Sequence, residues 1–143
     1  MSDKSNPYLM NTDVLAFLGD AVYELYIRDI IVNVGIADPD AMHRAATNYV
    51  RAESQAYALK DMMKDYLTEE ELALVKRARN HKTPNRSRSA SPVEYKLATA
   101  LEALIGYLYL SQQSERLGEV MKHAAGLIAG MNNLKESESG PKS

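Results

Sequence analysis

The chain has 143 residues and a mass of 15.9 kDa, with 45% hydrophobic residues, 25% charged residues and a net charge of −2. This size and balance predict one soluble domain with an ordinary core. The absence of cysteine excludes disulfides and thiolate metal sites. No apolar leader segment and no apolar run of membrane-spanning length stands out, so we expect a cytoplasmic protein.

The start and stop signals along the chain predict an all-α fold of about six helices, without strands. Thr12 is expected to cap the first helix, and Gly35 to end it. Thr68 with Glu71, and Ser91 with Glu94, form capping boxes for the fourth and fifth helices. The predicted helices cover residues 12–34, 38–49, 50–66 and 68–80, a segment from 91 onward, and 114–130.

Residues 12–130 are therefore predicted to form the folded domain, with a flexible segment over 1–11 and a disordered polar tail over 131–143. Residues 81–91 are predicted to form an exposed loop. The first and fifth helices are apolar on nearly every face, which predicts that both are buried on all sides. A small bundle cannot surround two such helices, so we expect a homodimer.

Two lone carboxylates, Asp20 and Glu102, lie in otherwise apolar helical stretches. A carboxylate in such surroundings loses its hydration and requires a cation, a metal or strong hydrogen bonds. Gly19 and Gly106, each close to one of the two acids, favour a tight helix crossing that would bring the acids to one divalent ion. The alternative is plain packing, with each acid paired to a lysine or arginine. Glu24, one turn from Asp20, could join them, although an ion pair with Arg28 is the simpler expectation.

A cluster of cations surrounds the predicted loop, while the acidic residues concentrate in residues 61–71. This cluster predicts a polyanion-binding surface, and the alternative is a solvated loop. His43, Arg44 and Arg51 could extend the surface, and Tyr95 and Lys96 are placed near a substrate. The cations around the loop are Lys76, Arg77, Arg79, Lys82, Arg86 and Arg88. Carboxylates holding Mg²⁺ beside such cations suit the hydrolysis of a phosphodiester.

The motifs resemble those of the ribonuclease III catalytic domain. The segment FLGDAV at residues 17–22 is similar to its signature motif, and LEALIG at residues 101–106 is similar to its second motif. The resemblance covers residues 14–127. It implies an all-α homodimer that cleaves double-stranded RNA with Mg²⁺, leaving 5′-phosphate and 3′-hydroxyl ends.

Two of the four acidic positions of these motifs differ here, because Ala16 and Thr99 stand where the family has acids. The departures, and the absence of a double-stranded-RNA-binding domain from this sequence, resemble the compact bacterial subfamily called Mini-ribonuclease III. In that subfamily Asp20 matches the catalytic aspartate and Glu102 its metal-binding partner. The resemblance also implies maturation of large-subunit (23S) ribosomal RNA, with room for an assisting large-subunit ribosomal protein.

Two other functions remain as alternatives. One is a ribonuclease III-like dimer that binds structured RNA without cleaving it, which the missing acids would permit. The other is an all-α nucleotide pyrophosphohydrolase, which would need facing pairs of acids. The run Glu69-Glu70-Glu71 is better explained as the start of a helix.

Overall fold

The computed structural model describes residues 6–81 and 91–138. Within these residues all regular secondary structure is helical, and no strand is present. The all-α prediction is therefore confirmed. A short 3-10 helix, Pro7–Leu9, precedes the six α-helices. These are α1 (Thr12–Val34), α2 (Pro39–Val50), α3 (Ala52–Asp65), α4 (Glu69–Asn80), α5 (Pro92–Leu110) and α6 (Ser114–Glu138).

The helix ends follow the local signals closely. Both capping boxes form, at Thr68 with Glu71 and at Ser91 with Glu94. At the start of α1 the predicted cap is one residue off, because Asn11 caps the helix by accepting the Asp13 backbone N–H at 2.7 Å. Asn11 and Thr12 are both good N-cap residues, so the sequence alone did not separate them. Gly35 ends α1 with φ = 94°, a left-handed conformation that glycine adopts without strain.

The described parts of the two terminal segments, residues 6–11 and 131–138, are more ordered than predicted. The segment expected to be flexible is anchored where Tyr8 meets the Tyr107 ring edge-on at 5.6 Å between centroids. Arg77 lies against the Tyr8 ring and donates to the Tyr8 carbonyl at 2.8 Å. At the other end α6 continues to Glu138, beyond the predicted end at Gly130 and into the segment predicted to be disordered.

Helix α5 forms the centre of the bundle and packs against α1, α3, α4 and α6. Its middle is fully buried, as predicted, with Leu101, Leu104 and Ile105 among the largest buried side chains. Helix α1 is not buried on all sides within one chain, because Phe17 is 84% exposed and Leu25 is 70% exposed, so its predicted burial would require the predicted second copy of the chain. None of the helices within the described residues combines the length and apolar character needed to cross a membrane.

One buried ion pair ties α4 to α6 next to the turn that follows α3. Glu71, almost fully buried, accepts from Arg116 at 2.8 and 2.9 Å. Arg116 also donates to the Tyr66 carbonyl and stacks over the Tyr66 ring. Although burial opposes it, the hydrogen bonds from Arg116 and Thr68 hold the pKa of Glu71 below its usual value.

Replacing Arg116 with methionine is therefore expected to lower the free energy of unfolding by roughly 2–3 kcal/mol, because Glu71 would keep its burial without its partner. A carboxyl with a depressed pKa contributes stability above its unfolded pKa, and this contribution disappears as the pH falls. The variant should therefore lose less stability than the wild type between pH 6 and pH 3. Urea unfolding at both pH values measures this, and equal acid sensitivity would contradict the assignment.

Candidate active site

Helices α1 and α5 touch backbone to backbone where two glycines meet. A Cβ atom on Gly19 would overlap the carbonyl oxygen of Glu102 and lie 2.7 Å from its carbonyl carbon. A Cβ atom on Gly106 would likewise overlap the Leu15 carbonyl oxygen and lie 3.2 Å from the Gly19 nitrogen. No side chain larger than hydrogen fits at either position. The close crossing predicted from the sequence is therefore present, and it brings Asp20 to Glu102.

The two carboxyl groups are close enough for each to shift the pKa of the other. Burial and the charge of Asp20 raise the pKa of Glu102 to about 8, although the hydrogen bond from Gln55 opposes the shift. Desolvation, followed by the charge of Glu24, also raises the pKa of Asp20, while the hydrogen bond with Glu102 lowers it. Two acids this close cannot both ionise readily without a compensating cation.

No lysine, arginine or histidine of the described residues forms an ion pair with either acid. The nearby Glu24 is paired instead with Arg28 at 2.6 Å, as expected from their spacing. Among the described residues, the side chain that donates a hydrogen bond to the pair is Gln55, whose Nε2 lies 3.2 Å from Glu102 Oε2. The alternative prediction, acids neutralised by protein cations, is therefore not observed in the part of the chain that the structure describes.

Glu102 opens onto a cleft of about 480 Å³ between α3, α5 and the end of α2. Arg51 and Tyr95, both predicted to contact RNA, line this cleft together with Thr99 and Gln55. Arg51 lies at the junction of α2 and α3, where extended backbone separates the two helices. The cleft therefore places polar side chains, among apolar ones such as Val50 and Ala98, beside Glu102.

A family model for the ribonuclease III domain matches residues 13–113 of this chain. The chain belongs to the ribonuclease III family. The matched segment contains both motifs, the glycine crossing and the acidic pair. Membership of this family, together with the relatives described next, makes the protein an endoribonuclease.

Curated relatives narrow the family further. A Mini-ribonuclease 3 from Brevibacillus brevis is 45% identical over 125 residues, which cover 87% of this chain and 92% of that protein. One from Symbiobacterium thermophilum is 44% identical over 87% of this chain and 95% of its own length. A crystal structure of a Fusobacterium nucleatum protein has a TM-score of 0.71 at 37% identity, covering 80% of this chain and 90% of that one. The resemblance to Mini-ribonuclease III is thereby confirmed.

The two departures from the family motifs have clear structural settings. Ala16 is buried on α1, where its methyl group joins the core. Thr99 donates its hydroxyl to the Tyr95 carbonyl one turn earlier, at 2.9 Å. Neither residue offers a charged oxygen. Among the described residues no group of three or more histidine, cysteine, aspartate or glutamate side chains could hold a metal ion.

The remaining donors nevertheless fit a hard cation. Asp20 and Glu102 supply carboxylate oxygens without a protein cation, and the buried Gln55 Oε1 beside them has no hydrogen-bond partner. Mg²⁺ prefers oxygen ligands, and it is commonly held by one or two carboxylates with water completing its coordination. The donor chemistry of this site therefore matches Mg²⁺ and excludes a site built on thiolates.

The other residues predicted to contact RNA are spread over several helices. His43 and Arg44 are exposed on α2, Lys76 on α4 and Lys96 on α5. Arg79 donates to Asn80. The three predicted residues Lys82, Arg86 and Arg88 lie outside the described residues.

Arg77 has a specific partner in the fold, because its guanidinium holds the Tyr8 and Met10 carbonyls. Within the described residues, the cleft brings only Arg51 and Tyr95 of this predicted set together with Glu102. Sequence reasoning did not single out Gln55. A lone amide in the largely apolar face of α3 was the available signal, and it is weak because glutamine is common in helices.

Proposed function

We propose that this protein uses Mg²⁺ to hydrolyse phosphodiester bonds in double-stranded RNA, leaving 5′-phosphate and 3′-hydroxyl ends. The observation that carries the proposal is the Asp20–Glu102 pair, which lies at the backbone contact of α1 and α5 and has no protein cation among the described residues. Burial, followed by the charge of Asp20, raises the pKa of Glu102 to about 8, so the charged form of the pair needs a cation to relieve it. Non-catalytic RNA binding would gain nothing from such a pair, because carboxylates repel phosphate.

In this proposal Asp20 and Glu102 hold Mg²⁺, which supplies an activated water and neutralises negative charge on the transferring phosphoryl group. Asp20 is exposed and therefore accessible to an approaching RNA, whereas Glu102 is partly buried. Arg51 and Tyr95 line the adjoining cleft, where a guanidinium and a hydroxyl can contact a flanking phosphate or a 2′-hydroxyl. The proposed metal-binding carboxylates are thus separate from the side chains that would orient the RNA backbone.

The exposed cations extend this surface. We propose that His43, Arg44, Lys76, Arg79 and Lys96 contact RNA phosphates, together with Lys82, Arg86 and Arg88 of the predicted loop. Arg77 belongs to the same proposed surface, although its guanidinium is already used by the N-terminal segment. Contacts to phosphates and 2′-hydroxyls carry little sequence information, so shape is expected to dominate recognition.

The exposed apolar side chains of α1 support a homodimer. Val14, Phe17, Leu25 and Val32 are all at least half exposed, which is an unusual amount of apolar surface for one helix. A second copy of the same chain can cover this surface isologously. Because Asp20 is on the same helix, the proposed dimer would hold two acidic pairs in a fixed relation along one RNA duplex.

Replacing Phe17 with glutamate is expected to convert the dimer to a monomer. The introduced charge would lose its hydration in the interface, while the free chain, in which Phe17 is already exposed, would remain folded. Sedimentation equilibrium at micromolar concentration measures the mass. Val93→Glu, on an exposed residue at the start of α5, is the matched control for added charge. A wild-type protein that sediments as a monomer would contradict the dimer.

For the substrate, we propose precursor large-subunit ribosomal RNA in the cytoplasm, with a large-subunit ribosomal protein as a candidate assisting partner. The similarity to Mini-ribonuclease 3 proteins over most of the chain supports this choice. The competing function is a dimer that binds structured RNA without cleavage, which the replacements at Ala16 and Thr99 favour.

One experiment separates the two functions. The protein is incubated with a perfect RNA duplex in Mg²⁺ or in EDTA, and the product ends are analysed. Cleavage in Mg²⁺ alone, with 5′-phosphate and 3′-hydroxyl ends, is the expected result. Tight binding of the duplex without any cleavage would favour the non-catalytic alternative.

A further inference from the structure

Gln55 is the buried polar residue of α3 that faces the acidic pair. It is 1% exposed, and its Nε2 donates to the Val50 carbonyl at 2.6 Å and to Glu102 Oε2 at 3.2 Å. Both amide hydrogens therefore have acceptors. Turning the amide over would place its oxygen against two other oxygens, so these two contacts fix the orientation of the side chain.

The other end of the same amide is unsatisfied. Gln55 Oε1 is buried and has no hydrogen-bond partner among the described residues. A buried carbonyl left in this state typically costs about 1–3 kcal/mol. Methionine or leucine would fill the same space without that cost, so packing alone does not explain a glutamine here.

The contact with Glu102 supplies an explanation. A lysine or arginine at this position would hold the carboxylate but cancel its charge, whereas an amide holds Oε2 and leaves the negative charge available to a cation. Thr99, one turn before Glu102 on α5, is committed to the Tyr95 carbonyl. Among the described residues, Gln55 is therefore the neutral donor that restrains the Glu102 carboxylate.

We propose that Gln55 is a positioning residue, which holds Glu102 in the rotamer that faces Asp20 and thereby sets the affinity of the site for a divalent cation. The inference rests on the function proposed above. Neutral donors that orient a metal-binding carboxylate typically change metal affinity by about 10–100-fold when removed. The amide of Gln55 spans from α3 to α5, so it also makes the site depend on how these helices pack.

The test uses Gln55→Met in the full chain, since methionine has a similar length and lacks both the donor and the unsatisfied oxygen. Binding of Mn²⁺ to the RNA-free protein is followed by electron paramagnetic resonance, and the Mg²⁺ midpoint of single-turnover cleavage is measured separately. We expect Mn²⁺ affinity to fall about 10–100-fold and the Mg²⁺ midpoint to rise by a similar factor. The melting temperature in EDTA should be unchanged or higher, because the unsatisfied oxygen is gone.

Two further variants make the result decisive. Ser54 lies next to Gln55 on α3, and Ser54→Ala removes its buried hydrogen bond to the Asn48 carbonyl of α2. Ser54 contacts no residue of the site, so the Mn²⁺ affinity of this variant should match that of the wild type. Asp20→Asn should lose Mn²⁺ binding. If Asp20→Asn retained wild-type Mn²⁺ affinity, the metal site itself would be refuted.

Wild-type Mn²⁺ affinity in Gln55→Met, alongside its loss in Asp20→Asn, would overturn the role of Gln55 and leave the proposed function intact. If methionine prevented folding, Gln55→Leu provides the same loss of the donor in a shorter side chain. An equal loss of Mn²⁺ affinity in Ser54→Ala would show a general effect of α3 packing and would also overturn the specific role of Gln55.

Discussion

Asp20→Asn and Glu102→Gln are each expected to reduce Mg²⁺-dependent RNA cleavage by about 1,000-fold or more, while leaving a folded protein. Each variant keeps the shape of the side chain and removes one of the two charges that hold the proposed ion. Loss of the ion would remove several kcal/mol of transition-state stabilisation. Binding of the duplex should persist, because the proposed phosphate contacts lie on other residues. Single-turnover cleavage rates and gel-shift affinities for the same duplex measure the two effects separately.

Stability gives an independent readout of the same pair. The unfolded chain loses the Glu102 proton near its ordinary pKa of 4.5, whereas the folded chain keeps it until the pH approaches about 8. The folded state therefore binds more protons between these values, and the free energy of unfolding of the metal-free protein should fall as the pH rises through this interval. Glu102→Gln removes that dependence, so its melting temperature in EDTA should exceed the wild-type value more at pH 8 than at pH 5.

Strong destabilisation by both neutral variants would instead identify Asp20 and Glu102 as members of structural ion pairs. If a cation outside the described residues neutralised the acids, each neutral variant would leave that cation unpaired and cost about 3–5 kcal/mol. Glu24→Gln is the matched control, because it removes a nearby charge that is already paired with Arg28. Large destabilisation by Asp20→Asn, or near-normal cleavage by Glu102→Gln, would refute the metal-ligand assignment.

Gly19→Ala is expected to have the largest effect on folding. The added methyl group would overlap the Glu102 backbone, which cannot move aside as a flexible side chain would. Overpacking of a well-packed core usually costs 1–3 kcal/mol, and a clash with backbone should reach about 3 kcal/mol or more. Gly106→Ala meets the Leu15 backbone in the same way and should behave similarly. Urea unfolding measures the loss, and failure to obtain folded protein is the extreme form of the same result.

The chain contains its own controls for this substitution. A Cβ atom at Gly118 or Gly126 in α6 would have nothing within 4 Å. Alanine is a better helix former than glycine by about 1 kcal/mol, so both variants should be neutral or more stable. If Gly19→Ala behaved like Gly118→Ala, the close contact between α1 and α5 would be wrong.

The parts of this fold that the sequence predicts well are those set by neighbouring residues. The capping boxes at Thr68 and Ser91 form because their partners lie three residues away. The end of α6 was missed for a related reason, since no glycine or proline follows Gly130 until residue 140 and nothing local forces the helix to stop. Polar composition indicated disorder there, but the helix is compatible with polar side chains.

The residues of the candidate site likewise differ in whether local sequence reveals them. Asp20 and Glu102 stood out as single acids in apolar surroundings, so their pairing could be predicted before any contact was known. Gln55 could not, because its partner is 47 residues away and glutamine is unremarkable in a helix. Of the two roles considered for Arg77, only RNA binding could be predicted from neighbouring residues. A run of cations indicates RNA binding, whereas its contacts with Tyr8 and Met10 depend on the tertiary fold.

The glycine crossing has a consequence for engineering the enzyme. Because α1 and α5 meet through main-chain atoms, the backbone positions that carry the two acids are set by this contact more than by which leucines or isoleucines fill the surrounding core. A designer could therefore replace much of that core to raise the melting temperature and keep the two acids together, provided that Gly19, Gly106 and Gln55 were retained. Thermostable variants with altered interiors should accordingly keep the proposed metal site.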